Sequence, residues 1–274
     1  PDWEGEDPTG LRVAVAPEQG HGDTLLMARF LPGLRALPWR EVVLVVKPPL
    51  ARLFQGIAGA DRVILAGARG PRPDRTVHMV DLPRRLGARP EALPPAPRLA
   101  IPEDARARAR RLVAPFRGLL RVGVVWSGSA AYKLNFKRSF GPERFLALAD
   151  RPGVQLFSLY KGPLLEEFRA SGLSGLIVDA AGDDRDFADA AALIEELDLV
   201  IGCDTAVTHL AASLGRETWT LLHASPYWVY AGDGPTTPWH PSMRLFRQRA
   251  PGDWDGVFAE VGAALDARLA RAGG

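Results

Sequence analysis

The stretch LVIGCDTAVTHLAASLG, residues 199–215, decides the fold. Its first residues are apolar and β-branched, which is typical of a strand buried on both faces of a parallel sheet. Asp204 and Thr205 then stand where a helix needs its N-cap, before an apolar helix that carries His209 near its start. Such a helix start has unpaired backbone N–H groups and a partial positive charge, so it predicts a phosphate site. Spacing alone leaves open that Asp204 and Thr205 only cap the helix and that His209 packs in the core.

Strand-like and helix-like runs alternate on both sides of this stretch. Alternation of this kind predicts right-handed βαβ units around parallel sheets. The predicted strands are 11–16, 41–46, 62–67, 76–82, 120–128, 154–160, 176–180, 199–204, 218–223 and 243–248. The predicted helices are 23–34, 48–57, a charged helix opening at Glu103, 141–150, 164–172, 186–198, 206–215 and 254–272.

A proline-dense segment divides the alternation into two blocks, with five prolines between Pro90 and Pro102. We therefore expect an α/β protein of two doubly wound, Rossmann-like domains that face each other across a cleft. The N-terminal domain is expected over 1–117, with the linker within 88–117, and the C-terminal domain over 118–274. The last helix, about 254–271, belongs to the C-terminal domain, and the sequence leaves open that it packs back against the N-terminal domain.

Composition limits the class of protein. The 274 residues are 47% hydrophobic and 24% charged, as in ordinary globular domains. The net charge of +2, with arginine and acidic residues interspersed, argues against a nucleic-acid partner. No apolar run approaches the roughly 20 residues that span a bilayer, and the acidic first residues do not form a signal peptide. Cys203 is the only cysteine, which excludes an internal disulfide and favours a cytoplasmic enzyme.

Ligands of open α/β sheets bind beyond the carboxyl ends of the strands, so the candidate residues lie in those loops. Three of the four lysines follow two C-terminal strands, in SGSAAYKLNFKRSFGPE (127–143) and SLYKG (158–162). Lysine and arginine charges suit a diphosphate, although these segments can also be solvated basic loops. The candidate donor-binding residues here are Ser127, Gly128, Lys137, Arg138, Tyr160 and Lys161.

The first predicted strand is followed by Gly20, His21, Gly22 and Asp23. Two close glycines allow a ligand to approach the backbone. The third glycine of a dinucleotide fingerprint is missing, since Leu25 stands in its place, so a dehydrogenase is not favoured. Asp23 is either a helix cap or a general base, and His21 either orients a substrate or lies in solvent.

A long aromatic, proline-rich loop follows the strand at 218–223. Trp228 and Trp239 in it suit a sugar platform or a lid, and the alternative is that they pack a domain interface. None of the five histidines has the spacing of a metal-ligand pair. The acidic triplets 184–186 and 253–255 open predicted helices, where acidic residues favour the helix dipole. No metal or other cofactor is therefore expected.

CDTAVTHLAASLG (203–215) resembles the diphosphate-binding motif of glycosyltransferases with the GT-B fold, in particular the bacterial lipopolysaccharide heptosyltransferases. The whole chain is similar to the glycosyltransferase domain of bacterial tetratricopeptide-repeat proteins, which is related to O-GlcNAc transferases. The blocks that carry this likeness are 1–34, VGVVWSGS (122–129), SLYKG (158–162), 186–215 and PWHPSMRLFRQ (238–248).

The resemblance implies an inverting, metal-independent glycosyltransferase that moves a sugar from a nucleotide-sugar to a protein or glycan acceptor. It implies a diphosphate held by Thr205, Ala206, Val207 and His209, with Arg138 on a phosphate and Asp23 as the base near the acceptor. A repeat arm often precedes this domain in such proteins. His21 and the loop 129–139, which is less polar than the family's usual loop, depart from the family pattern. A catalytically silent nucleotide-sugar-binding domain and a sugar-nucleotide epimerase stay open as alternatives, and neither the nucleotide, the sugar nor the oligomeric state is indicated.

Overall fold

The structure, a computed structural model, describes residues 1–272; Gly273 and Gly274, the end of the predicted C-terminal domain, lie outside the described residues. Contacts divide the chain into two compact units. The first comprises Pro1–Arg106 and Arg185–Ala192, and the second comprises Ala107–Asp184 and the chain from Leu193 onward. The division at 106/107 lies before the expected 117/118, and the proline-dense segment is tied to the first unit. Ala100 N–H donates a hydrogen bond to the Leu53 carbonyl (2.9 Å) in that unit.

The first unit is built on a four-stranded, all-parallel sheet in the order β3-β2-β1-β4. Its strands are β1 Arg12–Ala16, β2 Glu41–Val46, β3 Arg62–Leu65 and β4 Arg75–His78. Val13 in β1 pairs with Val42 on one side and Arg75 on the other. The chain builds outward from β1 to β3 and then returns to the other side of β1. The topological switch point therefore lies between β1 and β4, where a ligand crevice is expected.

Helices of the first unit are short. They are α1 His21–Met27, α2 Leu31–Arg35 and α3 Leu82–Arg85. The next helix, α4 Glu103–Val113, begins at the end of the first unit and continues into the second. The predicted helix 23–34 is broken by a 3₁₀ turn at Ala28–Phe30, before a proline in the first turn of α2. The predicted helix 48–57 is wrong, because Pro48 and Pro49 support only a 3₁₀ turn and Gly56 takes a left-handed φ of 65°.

The second unit is built on a six-stranded, all-parallel sheet in the order β10-β9-β8-β5-β6-β7. Its strands are β5 Leu120–Val125, β6 Val154–Ser158, β7 Ile177–Asp179, β8 Leu199–Cys203, β9 Thr218–Leu222 and β10 Met243–Arg247. This is the strand order of a doubly wound nucleotide-binding fold, with its switch point between β5 and β8. A Cβ on Gly202 would lie 2.2 Å from Val125 Cγ1, so the close pairing of these two strands requires glycine.

Six further helices follow: α5 Asn135–Arg138, α6 Leu146–Ala149, α7 Leu165–Ala170, α8 Phe187–Glu195, α9 Ala206–Ser213 and α10 Trp254–Ala272. Within the second unit, the last helix α10 packs against α6 and β10. Every predicted strand is present, and most end one to four residues earlier than predicted, since the terminal residues form the loops at the sheet edge. No helix among residues 1–272 is both long and apolar enough to cross a membrane.

Candidate active site

The turn from β8 into α9 lies at the carboxyl edge of the six-stranded sheet, beside the switch point. Thr205 is the N-cap of α9, with an extended backbone (φ −144°, ψ 170°). Its N–H donates to Thr208 Oγ1 (3.2 Å), while its own hydroxyl is buried and makes no hydrogen bond within residues 1–272. Ala206 and Val207 are the first residues of α9, where backbone N–H groups favour an anion. That they bind a diphosphate stays a prediction.

A buried hydrogen-bond network stands behind this turn. The Tyr230 hydroxyl donates to Asp204 Oδ1 (3.0 Å) and lies 3.2 Å from His209 Nε2. His209 Nδ1 lies 3.1 Å from His240 Nε2, so both of its ring nitrogens have partners. His209 is only 5% exposed. The structure thus places His209 in a buried network, which is the alternative that spacing left open beside phosphate contact.

Asp204 is a buried carboxylate that stays ionised. Burial acts to raise its pKa, but the hydrogen bonds and charge around it hold the pKa below its ordinary value. These come from His209, Arg138 and Tyr230. Arg138 Nη1 lies 3.9 Å from Asp204 Oδ2, in the loop that follows β5. The network therefore holds a guanidinium at the switch point between β5 and β8.

Asn135, which the sequence analysis missed, organises the β5 loop. Its amide donates to Ser127 Oγ (3.0 Å), and its oxygen accepts from Gly128 N–H (3.2 Å) and Arg138 Nε (3.1 Å). A Cβ on Gly128 would lie 2.6 Å from Arg138 Nη2, so this approach favours the small residue. The side chain of Arg138 also stacks 4.6 Å over the ring of Tyr132. The spacing of Asn135 in the sequence does not mark it as a site residue, because its hydrogen-bond partners come together only in the folded chain.

The predicted site residues after β5 and β6 differ in placement. Lys137 is exposed beside Arg138. Tyr160 is 2% exposed and stacks on Trp126 (4.8 Å between ring centroids), and its hydroxyl accepts from Leu164 N–H. The Lys161 ammonium donates to the Asp184 carbonyl. The structure therefore brings Lys137 and Arg138 to the edge of β8, but it packs Tyr160 into the core and ties Lys161 to a backbone carbonyl.

His223, at the carboxyl end of β9, is a second residue that the sequence analysis missed. Burial lowers its pKa, and the charges of Lys137 and Arg138 lower it further against the opposing charge of Asp204. His223 directly follows β9, and its Nδ1 accepts a hydrogen bond from Ser225 N–H (3.2 Å). Nothing in its sequence context distinguishes it from a histidine in a solvated loop.

The aromatic loop after β9 presents one tryptophan of the predicted pair. Trp228 is 49% exposed, whereas Trp239 is 7% exposed. Their rings meet edge to face with centroids 5.3 Å apart. Trp239 thus supports Trp228 from below, and Trp228 alone offers a ring surface for a ligand.

The predicted acceptor-side residues of the first unit follow β1, beside its switch point. Asp23 Oδ2 accepts a hydrogen bond from Gly20 N–H (2.9 Å), which closes the start of α1. The His21 ring packs 5.1 Å from the ring of Phe187, and burial lowers its pKa, helped by the charge of Lys47. Asp23 is partly exposed, so it acts as a cap and its carboxylate also borders the loop at the sheet edge.

Metal coordination finds no support in the described part of the chain. No group of three or more His, Cys, Asp or Glu side chains within residues 1–272 could hold a metal ion. Whether the chemistry proceeds without a metal stays a prediction.

Residues 171–249 match the sequence profile of glycosyltransferase family 9 (heptosyltransferase). This segment runs from the residues before β7 to just past β10. It includes Asp204, His209, Tyr230 and His240 of the buried network, whereas Arg138 lies outside it. A curated relative, Protein FlbA of Caulobacter vibrioides, is 31% identical over 294 residues, covering 96% of this chain and 48% of the relative. The chain therefore spans about half the length of that relative.

Two solved structures show the fold. The family 9 glycosyl transferase from Veillonella parvula superposes with a TM-score of 0.66 at 15% identity, over 96% of this chain and 91% of that one. The ADP-heptose lipopolysaccharide heptosyltransferase II of E. coli gives a TM-score of 0.64 at 14% identity, over 95% of this chain and 100% of that one. The chain therefore has the α/β fold of the GT-B glycosyltransferases of family 9, as the sequence predicts. A relation to tetratricopeptide-repeat proteins or O-GlcNAc transferases stays a prediction.

Proposed function

We propose that the chain is a nucleotide-sugar-dependent glycosyltransferase of the heptosyltransferase type. The observation that carries this proposal is the switch point of the six-stranded sheet. There Arg138 is held by buried Asp204 next to the start of α9, where an anion is favoured. The match to glycosyltransferase family 9 covers the β8–α9 half of this arrangement and supports the same activity.

In this proposal the nucleotide-sugar donor binds to the second unit. Sugar transfer builds negative charge on the leaving diphosphate as the sugar becomes oxocarbenium-like. The N–H groups of Ala206 and Val207, together with Arg138, would stabilise that charge without a metal. One such preorganised donor contributes about 2.7–4 kcal/mol to lowering a barrier. Ser127 and Gly128 shape the same loop, and Thr205 caps the helix.

His209 has a supporting role in this mechanism. Because both of its nitrogens are engaged, with Tyr230 and with His240, it stabilises the ionised form of Asp204 from within the core. Direct contact with the diphosphate would require its ring to exchange one of these partners. The Asp204 carboxylate in turn fixes the guanidinium of Arg138 at the sheet edge.

The first unit would supply the general base for the acceptor hydroxyl. Asp23 would take the proton of the acceptor hydroxyl as general base, a contribution of roughly a hundred- to ten-thousand-fold. Gly20 N–H fixes one carboxylate oxygen and so orients the group. Direct attack by that hydroxyl inverts the configuration at the sugar. Gly22 and His21 would border that hydroxyl, and the acceptor is a protein or a glycan. Trp228, in the second unit, would offer its exposed ring to a sugar.

The proposal places the protein in the cytoplasm, where nucleotide-sugars are made, and allows a repeat arm outside the given residues. A second candidate is a nucleotide-sugar-binding domain without turnover. It is favoured by one observation: Asp23 is already engaged as the cap of α1. Such a domain would keep the donor site and lack a working base.

A thermal-shift panel tests the donor site, with UDP, GDP, ADP, CMP and their sugar conjugates as ligands. A ligand at a hundred times its dissociation constant adds about 2.7 kcal/mol of stability. We expect one nucleotide to stabilise the protein, and Arg138→Ala to reduce the shift. Arg144→Ala is the matched control, since Arg144 pairs with exposed Asp255 elsewhere in the same unit. No shift with any nucleotide would contradict the proposal, and binding without donor consumption over a range of acceptors would favour the silent domain.

A further inference from the structure

The loop after β5 ends in an exposed tip, Tyr132–Lys137, that is both apolar and basic. Phe136 is 71% exposed, the largest value among the large apolar side chains of the described residues. Tyr132 and Leu134 are 46% and 44% exposed. Lys133 and Lys137 stand between and beside them. Apolar side chains gathered in this way on a surface mark an interaction site.

The tip is held in place and is not a frayed loop. Asn135 N–H donates to the Tyr132 carbonyl (2.9 Å), and Lys137 N–H donates to the Leu134 carbonyl (3.0 Å). Below it, the Asn135 side chain bonds to Ser127 and Gly128 in the strand-end segment. The hydrogen-bonded turns thus present the apolar side chains to the outside.

The tip also adjoins the proposed donor site. Its base contains Asn135, which bonds to Arg138, and the Arg138 guanidinium lies under the Tyr132 ring. Arg138 is the residue that Asp204 holds at the switch point. A partner seated on the tip therefore lies next to the group that would hold the diphosphate.

The charge of the tip decides among possible occupants. Membrane-binding basic segments carry about four to eight lysines or arginines, and this tip carries Lys133 and Lys137 only. A second copy of the chain meeting it tip to tip would bring like charges together. An extended polypeptide with apolar and acidic side chains matches both features, because apolar residues cover the rings and carboxylates meet the lysines.

We propose that the tip binds the acceptor as a polypeptide. In this assignment Tyr132, Leu134 and Phe136 contact apolar side chains of the polypeptide. Lys133 and Lys137 pair with acidic side chains that flank the glycosylated hydroxyl. This assignment rests on the proposed function, since it names the acceptor class of the same site. In this assignment the loop 129–139, which departs from the family pattern, is the part of the chain that selects the acceptor.

A displayed library of random heptapeptides tests this proposal against the full chain in the presence of the nucleotide found by thermal shift. We expect selected peptides to be enriched in large apolar residues together with Asp and Glu. Lys133→Glu should reduce the acidic enrichment. A synthetic selected peptide should bind Leu134→Ser/Phe136→Ser at least tenfold more weakly, measured by fluorescence anisotropy. Leu176→Ser is the matched control, since Leu176 is 55% exposed elsewhere in the same unit.

Several results would overturn the proposal. Peptides with no apolar or acidic enrichment would do so, as would the same selection on wild type and on Leu134→Ser/Phe136→Ser. Sedimentation with phosphatidylserine–phosphatidylcholine vesicles that is lost in Leu134→Ser/Phe136→Ser would assign the tip to a membrane instead. The nucleotide shift separates the two levels: if wild type binds a nucleotide but selects no peptide, only the polypeptide assignment fails. If wild type binds no nucleotide, the proposed function itself fails.

Discussion

The carboxyl edges of the two sheets differ in how they hold their charged groups. In the second unit, Asp204 is buried and ionised, with Tyr230 as a hydrogen-bond donor and Arg138 as a counter-charge. In the first unit, Asp23 is partly exposed and accepts one backbone hydrogen bond from Gly20.

This difference matches two chemical tasks. Charge on a leaving diphosphate is best stabilised by groups fixed before the reaction, since they need no reorganisation when the charge develops. A general base must instead meet a hydroxyl that arrives with the acceptor, so partial exposure suits it. The two edges therefore fit the proposed roles, a preformed donor site and an acceptor site that is completed by its substrate.

Asp23→Ala has the largest expected effect and tests the acceptor edge. If Asp23 is the base, kcat should fall roughly a hundred- to ten-thousand-fold. Loss of the cap should cost only about 1 kcal/mol of the free energy of unfolding. Steady-state transfer kinetics with urea denaturation separate these effects. Asp81→Ala is the control, and an unchanged kcat in Asp23→Ala would remove Asp23 from the mechanism.

Asp204→Ala tests whether the donor edge is held by its buried carboxylate. Removing one partner of a buried charge pair costs about 3 kcal/mol. We expect the free energy of unfolding in urea to fall by about that amount, because Tyr230 loses its hydrogen-bond acceptor and Arg138 loses its counter-charge. Asp255→Ala removes an exposed ion pair and should change stability by less than about 1 kcal/mol. Equal effects of the two variants would mean that the buried interactions of Asp204 contribute no more to stability than an exposed ion pair does.

Arg138→Ala should weaken the binding of the nucleotide-sugar donor more than it lowers the free energy of unfolding. A hydrogen bond to a charged group contributes about 1.5–3 kcal/mol, which corresponds to a roughly ten- to hundred-fold rise in the Kd of the nucleotide-sugar. Isothermal titration calorimetry measures this Kd, with Arg144→Ala as the reference. If both variants bind alike, the diphosphate does not lie at the switch point between β5 and β8.

The smallest expected effect is a pH dependence of nucleotide-sugar binding that comes from His223. Its pKa is lowered by burial and by Lys137 and Arg138, so it is neutral at pH 7, and its protonation below about pH 6.5 favours the unfolded chain. A bound diphosphate reverses this preference, because negative charge stabilises the protonated ring. Nucleotide-sugar binding should therefore strengthen as the pH falls from about 7.5 to 6. His223→Gln should flatten this dependence, and a flat wild-type profile would place the diphosphate away from β9.

Local patterns carried the prediction of the fold. Ten apolar runs gave ten strands, and the motif at 199–215 gave the β8–α9 turn with its capping Thr205. Both follow from hydropathy and capping, which depend on neighbouring residues. The same patterns could not show that the segment 185–192 belongs with the first unit, since that depends on contacts far apart in the chain.

The sequence indicated Asp204, which directly follows β8, and Arg138, in the loop after β5, as candidate site residues. Asn135 and His223 were missed. Their roles come from partners in other loops, and a sequence does not show which loops meet. Tyr160 shows the opposite case: an aromatic residue at a strand end has the same local pattern whether it faces a ligand or, as here, packs against Trp126.

The single cysteine makes the protein suitable for site-specific labelling. Cys203 has no exposed surface, and burial raises the pKa of its thiol to about 12. Thiolates are the reactive form, so maleimide reagents should leave the native chain unmodified at neutral pH. One cysteine introduced at position 136 would then carry a fluorophore alone, without first deleting a native thiol. The colour or anisotropy of that dye would report in real time on what approaches the β5 loop during turnover.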